Sequence, residues 1–248
     1  MRASLIHLAF GLALVPGAGA VAQQTGAQQT GAPGRPIVVE LFTSQGCSSC
    51  PPADAVLTDL ARTRRDVLPL AFHVTYWNNL GWQDPYSFQA ATDRQQAYAE
   101  LRGDHQVYTP QMVVDGAQSF VGSRRGEAAV AIQRAASEQV TAAPLRISRR
   151  GGELTVEVGQ GAGGGAGGGA GQGTVLLVGF DPEHSTPVGR GENGGRLLLE
   201  SNIVRSVQAI GRWTGAPLRL QQGVPAGEQF AVILEAPDGR IIGAARLG

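Results

Sequence analysis

The sequence is poor in cysteine, since its 248 residues include only Cys47 and Cys50, with Ser48 and Ser49 between them. The lack of a third cysteine excludes any other disulfide within the chain, so these two can pair only with each other or with another molecule. Three roles remain open for the pair: a redox-active dithiol, an inert disulfide on a binding module, or part of a metal site.

The sequence also lacks an excess of charge of either sign, because 20 Lys and Arg residues balance 20 Asp and Glu residues. A protein whose main partner is nucleic acid needs clustered basic side chains that neutralise phosphates, so we expect no nucleic-acid partner. Hydrophobic residues make up 42% of the chain, which is enough to form a sizeable core.

The apolar run near the N-terminus is too short for a membrane span, and Pro16 and Gly17 interrupt it. The run follows Arg2 and ends in small residues that fit a cleavage site, which predicts a signal peptide over residues 1–22. Residues 23–36 are polar and Gly-rich, as in a flexible leader. We therefore expect a periplasmic or secreted protein with no stable membrane insertion after signal cleavage.

Apolar periodicity divides the rest of the chain into two predicted domains. Runs at residues 37–42 and 67–74 are typical of buried strands, and a helical pattern follows the first of them. Residues 37–143 are therefore predicted to form an α/β domain. Residues 144–248 consist of strand-like runs broken by Gly turns, which predicts a mostly β, sandwich-like domain with a Gly-rich loop at residues 159–173.

The position of the two cysteines favours redox chemistry. Cys47 precedes a predicted helix, whose partly positive N-terminal end and free N–H groups stabilise a thiolate, and Cys50 lies inside that helix and is less exposed. Cys47 would attack a partner disulfide, and Cys50 would resolve the mixed disulfide. A purely structural disulfide would stabilise the fold little, because closing so short a loop contributes about 2 kcal/mol to the free energy of unfolding. We expect protein thiols or disulfides as partners, and no cofactor.

The order of strand, CxxC motif and helix, followed later by Thr109-Pro110 and another apolar strand, resembles the thioredoxin superfamily. A closer resemblance, to an exported bacterial family known as domain-of-unknown-function family 1223, is carried by ELFTSQGCSSCPPAD, FHVTYWNNLGWQDPYS, YTPQMVVDG and GRGENGG. The resemblance implies that residues 37–143 form a thioredoxin-like domain.

The same resemblance implies roles for two residues. Pro110 would follow a cis peptide bond and face the dithiol, where it shapes the substrate groove. Glu40 would be a buried acid on the strand beneath the dithiol, with a raised pKa suited to moving the proton of the resolving thiol. The alternative for Glu40 is a structural pair with an Arg or with the backbone.

Three further residues are predicted to bind substrate. Thr109 lies beside Pro110, and Tyr76 and Trp77 belong to an aromatic cluster that could line a groove for an unfolded partner. The alternative role of the aromatic side chains is bulk in the core or in a loop anchor.

A metal site would combine Cys47, Cys50 and His73, a ligand set that suits copper or zinc. A single His on an apolar strand is more often a hydrogen-bonded core residue, so we expect no metal. Within the motif FHVTYWNNLGWQDPYS, Thr75 and Asn78 stand where the resemblance leads us to expect acidic residues. This difference weakens the case for metal or acid-base chemistry at that motif.

The polar segment GRGENGG near the middle of the second predicted domain has two interpretations. Arg190 and Glu192 could hold a turn through a salt bridge, or they could form a second site together with His184.

The pair Ser48-Ser49 predicts moderate oxidising power, because it places no His or charge between the cysteines to stabilise the Cys47 thiolate further. We expect a reduction potential more negative than about −120 mV, the value of a strong periplasmic oxidant. Equilibration with glutathione buffers of defined ratio, followed by thiol counting, measures this potential. A value as high as that of the strongest oxidants would contradict the prediction.

Overall fold

Strands and helices alternate in the first half of the described chain, as the apolar periodicity predicts. The computed structural model describes residues 34–138, 143–161 and 171–247. The elements of the first half are β1 (Ile37–Thr43), α1 (Pro51–Thr63), β2 (Val67–His73), α2 (Gln89–Arg102), β3 (Gln111–Val114), β4 (Gln118–Val121) and α3 (Arg125–Ser137).

After α3 the described residues form strands only, which agrees with the strand-like runs of the sequence. Two of these strands are unusually long and make a hairpin, with 15 residues in the first and 17 in the second. The strands are β5 (Leu145–Arg150), β6 (Glu153–Val158), β7 (Gly173–Pro187), β8 (Leu197–Trp213), β9 (Leu218–Gly223), β10 (Gln229–Glu235) and β11 (Ile241–Arg246).

Eight strands form one mixed sheet, in the order β11-β10-β7-β8-β2-β1-β3-β4. β1 and β2 run parallel, and β3 pairs antiparallel with the other edge of β1. β8 pairs antiparallel with β7 and also meets β2, in parallel, at Ala71 and Ile203. The strands β5, β6 and β9 form a second, three-stranded sheet.

The predicted fold class, an α/β thioredoxin-like domain followed by a separate mostly β domain, is wrong. The described chain is mostly β, with only three helices, and strands from both predicted domains share the eight-stranded sheet. The physical reason lies in β2, all seven residues of which are buried. Buried backbone N–H and C=O groups require partners, so the outer edge of β2 cannot be left open. β8 covers that edge and joins the two halves.

The side chains of β1 alternate between two cores on opposite faces of the sheet. Val39 and Leu41 pack against α1 and α3 on one face. Val38 and Phe42 belong to the other core, which contains residues of α2 together with residues of β7, β8, β10 and β11, Ile233 among them. This second core is therefore built from both halves of the chain.

Three of the predicted segments lie wholly or partly outside the described residues. The signal peptide at residues 1–22 does so completely, and the leader does so apart from residues 34–36. Residues 162–170, the centre of the predicted Gly-rich loop, are also outside the described residues. Among the helices that the structure describes, none has the length and apolar character needed to cross a membrane.

We expect Ile233→Ala to lower the free energy of unfolding by about 2–5 kcal/mol, because this fully buried side chain belongs to the core that both halves share. Thermal unfolding, followed by circular dichroism and tryptophan fluorescence, should remain one transition at a lower temperature.

Val130→Ala is the control for this experiment, because the side chain of Val130 is 68% exposed. It should change the free energy of unfolding by less than about 0.5 kcal/mol. A separate unfolding transition of residues 144–248 would contradict a shared core.

Candidate functional site

Cys47 and Cys50 form a disulfide at the beginning of α1, with their Cα atoms 5.4 Å apart. Cys50 is the N-cap residue of the helix, and its carbonyl oxygen accepts hydrogen bonds from the N–H groups of Ala53 and Asp54. Both cysteines are 0% exposed. The difference in exposure that the sequence suggested between them is therefore absent, and both sulfur atoms are closed off from solvent in this state.

The helix end has fewer free donors for a thiolate than the sequence suggested. Pro51 and Pro52 occupy the first turn and have no N–H group. The backbone N–H of Ser48 already donates to Oε2 of Glu192, at 3.0 Å. In this arrangement a Cys47 thiolate would be stabilised by the helix dipole, but not by the Ser48 N–H.

The loop between β7 and β8 is hydrogen-bonded to the segment that carries the disulfide, and we call its residues 188–196 the cap loop. Nδ2 of Asn193 donates to the backbone oxygens of Gln45 and Cys47, each at 2.9 Å, and the Asn193 side chain is fully buried. Oδ1 of Asn193 accepts a hydrogen bond from Nη1 of Arg196 at 2.7 Å. A residue that is 146 positions away in sequence thus binds the backbone of the CxxC motif.

The cap loop is not the salt-bridged turn that the sequence suggested for Arg190 and Glu192. Glu192 bonds the backbone of Ser48, and hydrogen bonds with the side chain and then the backbone of Ser48 lower the pKa of its carboxyl. Gly191 has a positive φ of 74°, and a Cβ atom there would lie 3.2 Å from Cβ of Trp82. Glycine at this position therefore lets the cap loop pack closely on Trp82.

Gln45 connects the cap loop to a set of buried charged groups. Its backbone oxygen accepts from Asn193, and its backbone N–H donates to Oδ2 of Asp84 at 2.9 Å. Its side chain donates to Oε2 of Glu200 at 2.6 Å and accepts from Nε1 of Trp82 at 3.0 Å. Four hydrogen bonds of Gln45 thus attach the loop that carries Cys47 to distant parts of the chain.

His73 lies at the end of β2 between two of these carboxyl groups. Its Nδ1 is 2.7 Å from Oδ2 of Asp84, and its Nε2 is 3.7 Å from Oε1 of Glu200. The side chains of His73 and Asp84 are 0% exposed, and that of Glu200 is 1% exposed. Neither Nε2 of His73 nor Oε1 of Glu200 has a hydrogen-bond partner. The site therefore contains an ionisable cluster in a medium of low polarity.

Asp54 is the member of this cluster that lies closest in sequence to the cysteines. It is buried in the first turns of α1, and its Oδ1 accepts a hydrogen bond from Oγ1 of Thr43 at 2.7 Å. Burial, and then the charge of Glu200, raise the pKa of Asp54 to about 8, although the Thr43 hydrogen bond acts in the opposite direction. The Asp54 carboxyl therefore keeps its proton at neutral pH.

The other three members of the cluster are shifted by the same two effects. Burial alone would lower the pKa of His73, but the charges of Asp84 and Glu200 raise it to about 9. Burial opposes ionisation of Asp84, yet His73 and several hydrogen bonds hold its pKa below the ordinary value. Burial raises the pKa of Glu200, against the effect of His73. At neutral pH these shifts favour an ionised His73–Asp84 pair beside a protonated Asp54.

Thr109 and Pro110 lie near the disulfide loop, and the peptide bond between them is cis. Nε1 of Trp77 donates to Oγ1 of Thr109 at 2.8 Å. The same Trp77 packs on the residue before Cys47, since a Cβ atom at Gly46 would lie 3.2 Å from Cβ of Trp77. Trp77 therefore bridges the two segments that the sequence predicted to form one site.

Tyr76 lies beside Trp77 and is 39% exposed. Its hydroxyl donates to Oε1 of Gln95 at 3.1 Å, and burial of that end raises the pKa of Tyr76 to about 12. Tyr76 therefore has an anchored hydroxyl and a side chain that is partly exposed at the surface. Its predicted role in substrate binding stays a prediction.

Glu40 is placed away from the residues just described. Its oxygens accept hydrogen bonds from Nε of Arg94 and from the hydroxyl of Tyr98, each at 2.5 Å. Arg94 and Tyr98 belong to α2, on the face of the sheet opposite to α1. Arg94 also pairs with Glu235 at 2.8 Å. Glu40 thus has the structural Arg pair that was its alternative, and its catalytic role stays an untested prediction.

Possible metal ligands come together at a different place from the predicted one. In the described part of the chain, the His, Cys, Asp and Glu residues close enough to share an ion are Asp181, His184 and Glu228. Asp181 is already bonded to Nη1 of Arg205 at 2.9 Å and to the backbone N–H of Glu228. This guanidinium supplies the positive charge that an ion would bring, so these residues form a satisfied polar cluster.

Sequence reasoning missed five residues of the site: Gln45, Asp54, Asp84, Asn193 and Glu200. Asp54 had a usable signal, because it follows Cys50 by four residues, a spacing that places two side chains on the same face of a helix. Asn193 lies in the motif GRGENGG, but nothing in that motif indicated that it reaches the cysteines. Asn193 and Glu200 come from the β7–β8 hairpin and reach the site only through the long pairing of those strands.

Comparison with families shows one match. A family model described as "Protein of unknown function (DUF1223)" matches residues 38–235. No curated protein matches the chain.

Two solved structures are similar to this one. The first is the crystal structure of a protein from Agrobacterium tumefaciens, with 30% sequence identity and a TM-score of 0.73, over 86% of this chain and 94% of that one. The second is HBP35 of Porphyromonas gingivalis, with 13% identity and a TM-score of 0.52, over 86% of this chain and 74% of that one. At 13% identity the second similarity concerns the fold alone.

Asp54 should make the fold less stable as the pH rises from about 4.5 to 6.5, because the folded protein keeps a proton that the unfolded chain releases. Because the folded pKa lies above the unfolded value, the bound proton of Asp54 stabilises the fold fully below about pH 4, and this stabilisation is lost as the pH rises towards 8. Asp54→Asn, which mimics the protonated carboxyl, should flatten the slope of the unfolding free energy by up to about 1.4 kcal/mol per pH unit.

Urea unfolding at several pH values measures this slope. The window ends at 6.5, the ordinary pKa of His, so the unfolded chain begins to release the His73 proton near its upper end, in wild type and variant alike. The difference between the two slopes therefore reports Asp54. Asp59→Asn, at an exposed position of the same helix, should keep the wild-type slope. An Asp54→Asn slope equal to that of wild type would show that Asp54 is ionised in the fold.

Proposed function

Since the chain belongs to the DUF1223 family, whose function is unknown, we propose a function from the site itself: an exported thiol-disulfide oxidoreductase that acts through Cys47 and Cys50. The single observation that carries the proposal is the buried carboxyl of Asp54, which lies one helical turn beyond Cys50 and whose pKa is raised by burial to about 8. A proton donor and acceptor with a pKa of about 8 suits the exchange of protons with a thiol near neutral pH.

In the reduced state the Cys47 thiolate attacks one sulfur of a partner disulfide. A bond forms between Cys47 and that sulfur, and the second partner sulfur leaves as a thiolate that takes a proton from water. Cys50 then gives up its proton and attacks Cys47, which releases the first partner sulfur. Two electrons pass to the partner, and a thiol reductant of the compartment restores the dithiol. The same steps in reverse oxidise a partner dithiol.

The buried carboxyl has a specific task in the second step. In its ionised form Asp54 accepts the proton of Cys50, so that this buried thiol becomes a nucleophile. In its protonated form it donates a proton back when the disulfide opens. The ionised His73–Asp84 pair beside it fixes the local field and holds the backbone of Gln45 in place. Thr109, Pro110, Tyr76 and Trp77 would line the partner's approach.

The proposed partners are protein thiols or disulfides outside the cytoplasm. The N-terminal stretch with the features of a signal peptide supports export, and export places the two cysteines in an oxidising compartment. The disulfide between Cys47 and Cys50 agrees with such a location.

A second candidate function is a binding or assembly module with a passive disulfide. The observation that favours it is the full burial of both cysteines, since exchange chemistry requires access to a sulfur atom. The two candidates differ in whether the reduced protein turns over a substrate disulfide.

Reduction of insulin by the protein, with dithiothreitol as the electron source, tests the proposal. Cys47→Ser should abolish the activity above the background of dithiothreitol alone, because no mixed disulfide can then form at that position. Wild-type activity at background level would favour the passive module.

Asp54→Asn should slow turnover by about 100-fold and remove the pH dependence near pH 8, because Asn cannot accept the proton of Cys50. Asp59→Asn, at an exposed position of the same helix, is the matched control and should retain wild-type turnover. Equal rates in Asp54→Asn and wild type would show that Asp54 has no part in the mechanism. The role of the cysteines would still be decided by the insulin assay with Cys47→Ser.

A further inference from the structure

We infer that the cap loop is a gate over the Cys47–Cys50 disulfide, and that Asn193 is the positioning residue that holds it shut. The inference deepens the proposed function, because it states when the dithiol can react. The biological purpose of the gate rests on that proposed function. The gate itself is a physical property of the loop and can be measured with a small reductant.

The need for a gate follows from access to the sulfur atoms. A nucleophile must reach a sulfur atom of the disulfide to cleave it, and both cysteines are 0% exposed. Glu192 and Asn193 of the cap loop bind the backbone at Ser48 and Cys47, beside this pair. Any reaction with an external thiol, disulfide or phosphine therefore requires a neighbouring segment to move first, and the cap loop is bonded directly to the motif.

The contacts of the cap loop suit a movable part. The loop is closed on itself, because the N–H of Val188 donates to the oxygen of Arg196 at 2.9 Å and the N–H of Gly195 donates to the oxygen of Val188 at 2.8 Å. It can therefore keep its shape when it moves, although the packing of Gly191 on Trp82 must then separate. The hydrogen bonds to be broken are the two from Asn193 and the one to Glu192.

Opening would also change the chemistry of Cys47. In the closed state the carboxylate of Glu192 occupies the N–H of Ser48, and its negative charge lies next to the CxxC motif. An open loop frees that N–H for a thiolate at Cys47 and removes the charge. The closed state therefore favours the disulfide or the neutral thiol, and the open state favours the nucleophile.

Gln45 couples the gate to the buried charges. Its backbone oxygen accepts from Asn193, while its side chain donates to Glu200 and its N–H donates to Asp84. A shift of the Gln45 segment would disturb both sets of contacts, so opening of the loop and proton movement in the cluster share one connecting residue.

The experiment measures how strongly the fold protects the disulfide from reduction. The probe is tris(3-hydroxypropyl)phosphine, an uncharged phosphine. It attacks one sulfur, breaks the S–S bond and leaves as the phosphine oxide with an oxygen atom from water, while the protein gains two electrons and two protons as two thiols. The rate for the full-length folded protein is compared with its rate in urea, by acid quench, alkylation and mass measurement.

We expect the folded wild type to react at least about 100-fold more slowly than the unfolded chain. Asn193→Ala should raise the folded rate by about tenfold, since two buried hydrogen bonds of ordinary strength are lost. Glu192→Ala, at an exposed side chain whose loss does not threaten folding, should raise it by about threefold. If Asn193→Ala fails to fold, Glu192→Ala carries the test.

The matched control is Asn202→Ala. Asn202 also donates from Nδ2 to a backbone oxygen, that of Pro69 at 2.7 Å, but it does not belong to the cap loop. This variant should lose stability without a gain in rate. A rate equally raised in Asn202→Ala, or unchanged in both cap-loop variants, would overturn the gate, as would a folded wild type that reacts as fast as the unfolded chain. Inactivity towards insulin would contradict the proposed function but would not overturn the gate. Failure of the gate and failure of the proposed function are therefore distinguishable.

Discussion

The buried pair of His73 and Asp84 is the interaction on which the arrangement of the site depends. One carboxylate oxygen of Asp84 receives both the imidazole of His73 and the N–H of Gln45, so a residue at the end of β2 fixes the loop that leads to Cys47. In a medium of low polarity such a pair is costly unless it is fully bonded, and removal of one partner leaves an uncompensated charge. This constraint explains why the polar groups around the disulfide loop are so densely connected.

The β7–β8 hairpin is the second determinant of the site. It brings Glu200 to His73 and Asn193 to Cys47, and it joins the two halves of the chain into one sheet. The long strands therefore join the two halves of the chain and also position residues of the site. Any change that shortens or shifts their pairing would move both an acid of the buried cluster and the cover of the disulfide.

The sequence was most informative where one local pattern decides the structure. The apolar run of β1 and the helical pattern after it predicted the strand and the helix in the right places, and the spacing of the two cysteines allowed the disulfide that is found, because each depends on neighbours within a few residues. The association of the two halves could not be predicted in this way, since β2 and β8 meet through residues 132 positions apart, Ala71 and Ile203. The same holds for Asn193, while Asp54 was within reach of a spacing argument.

Asn193 is encoded long after the cysteines that it covers, and synthesis proceeds from the N-terminus. Cys47 and Cys50 are therefore complete, and α1 can form, before the residues that shield them exist. The nascent chain passes through a period in which its sulfur atoms are open to any oxidant or thiol nearby. Pairing of β7 with β8 ends that period, because it brings Asn193 to the backbone of Cys47.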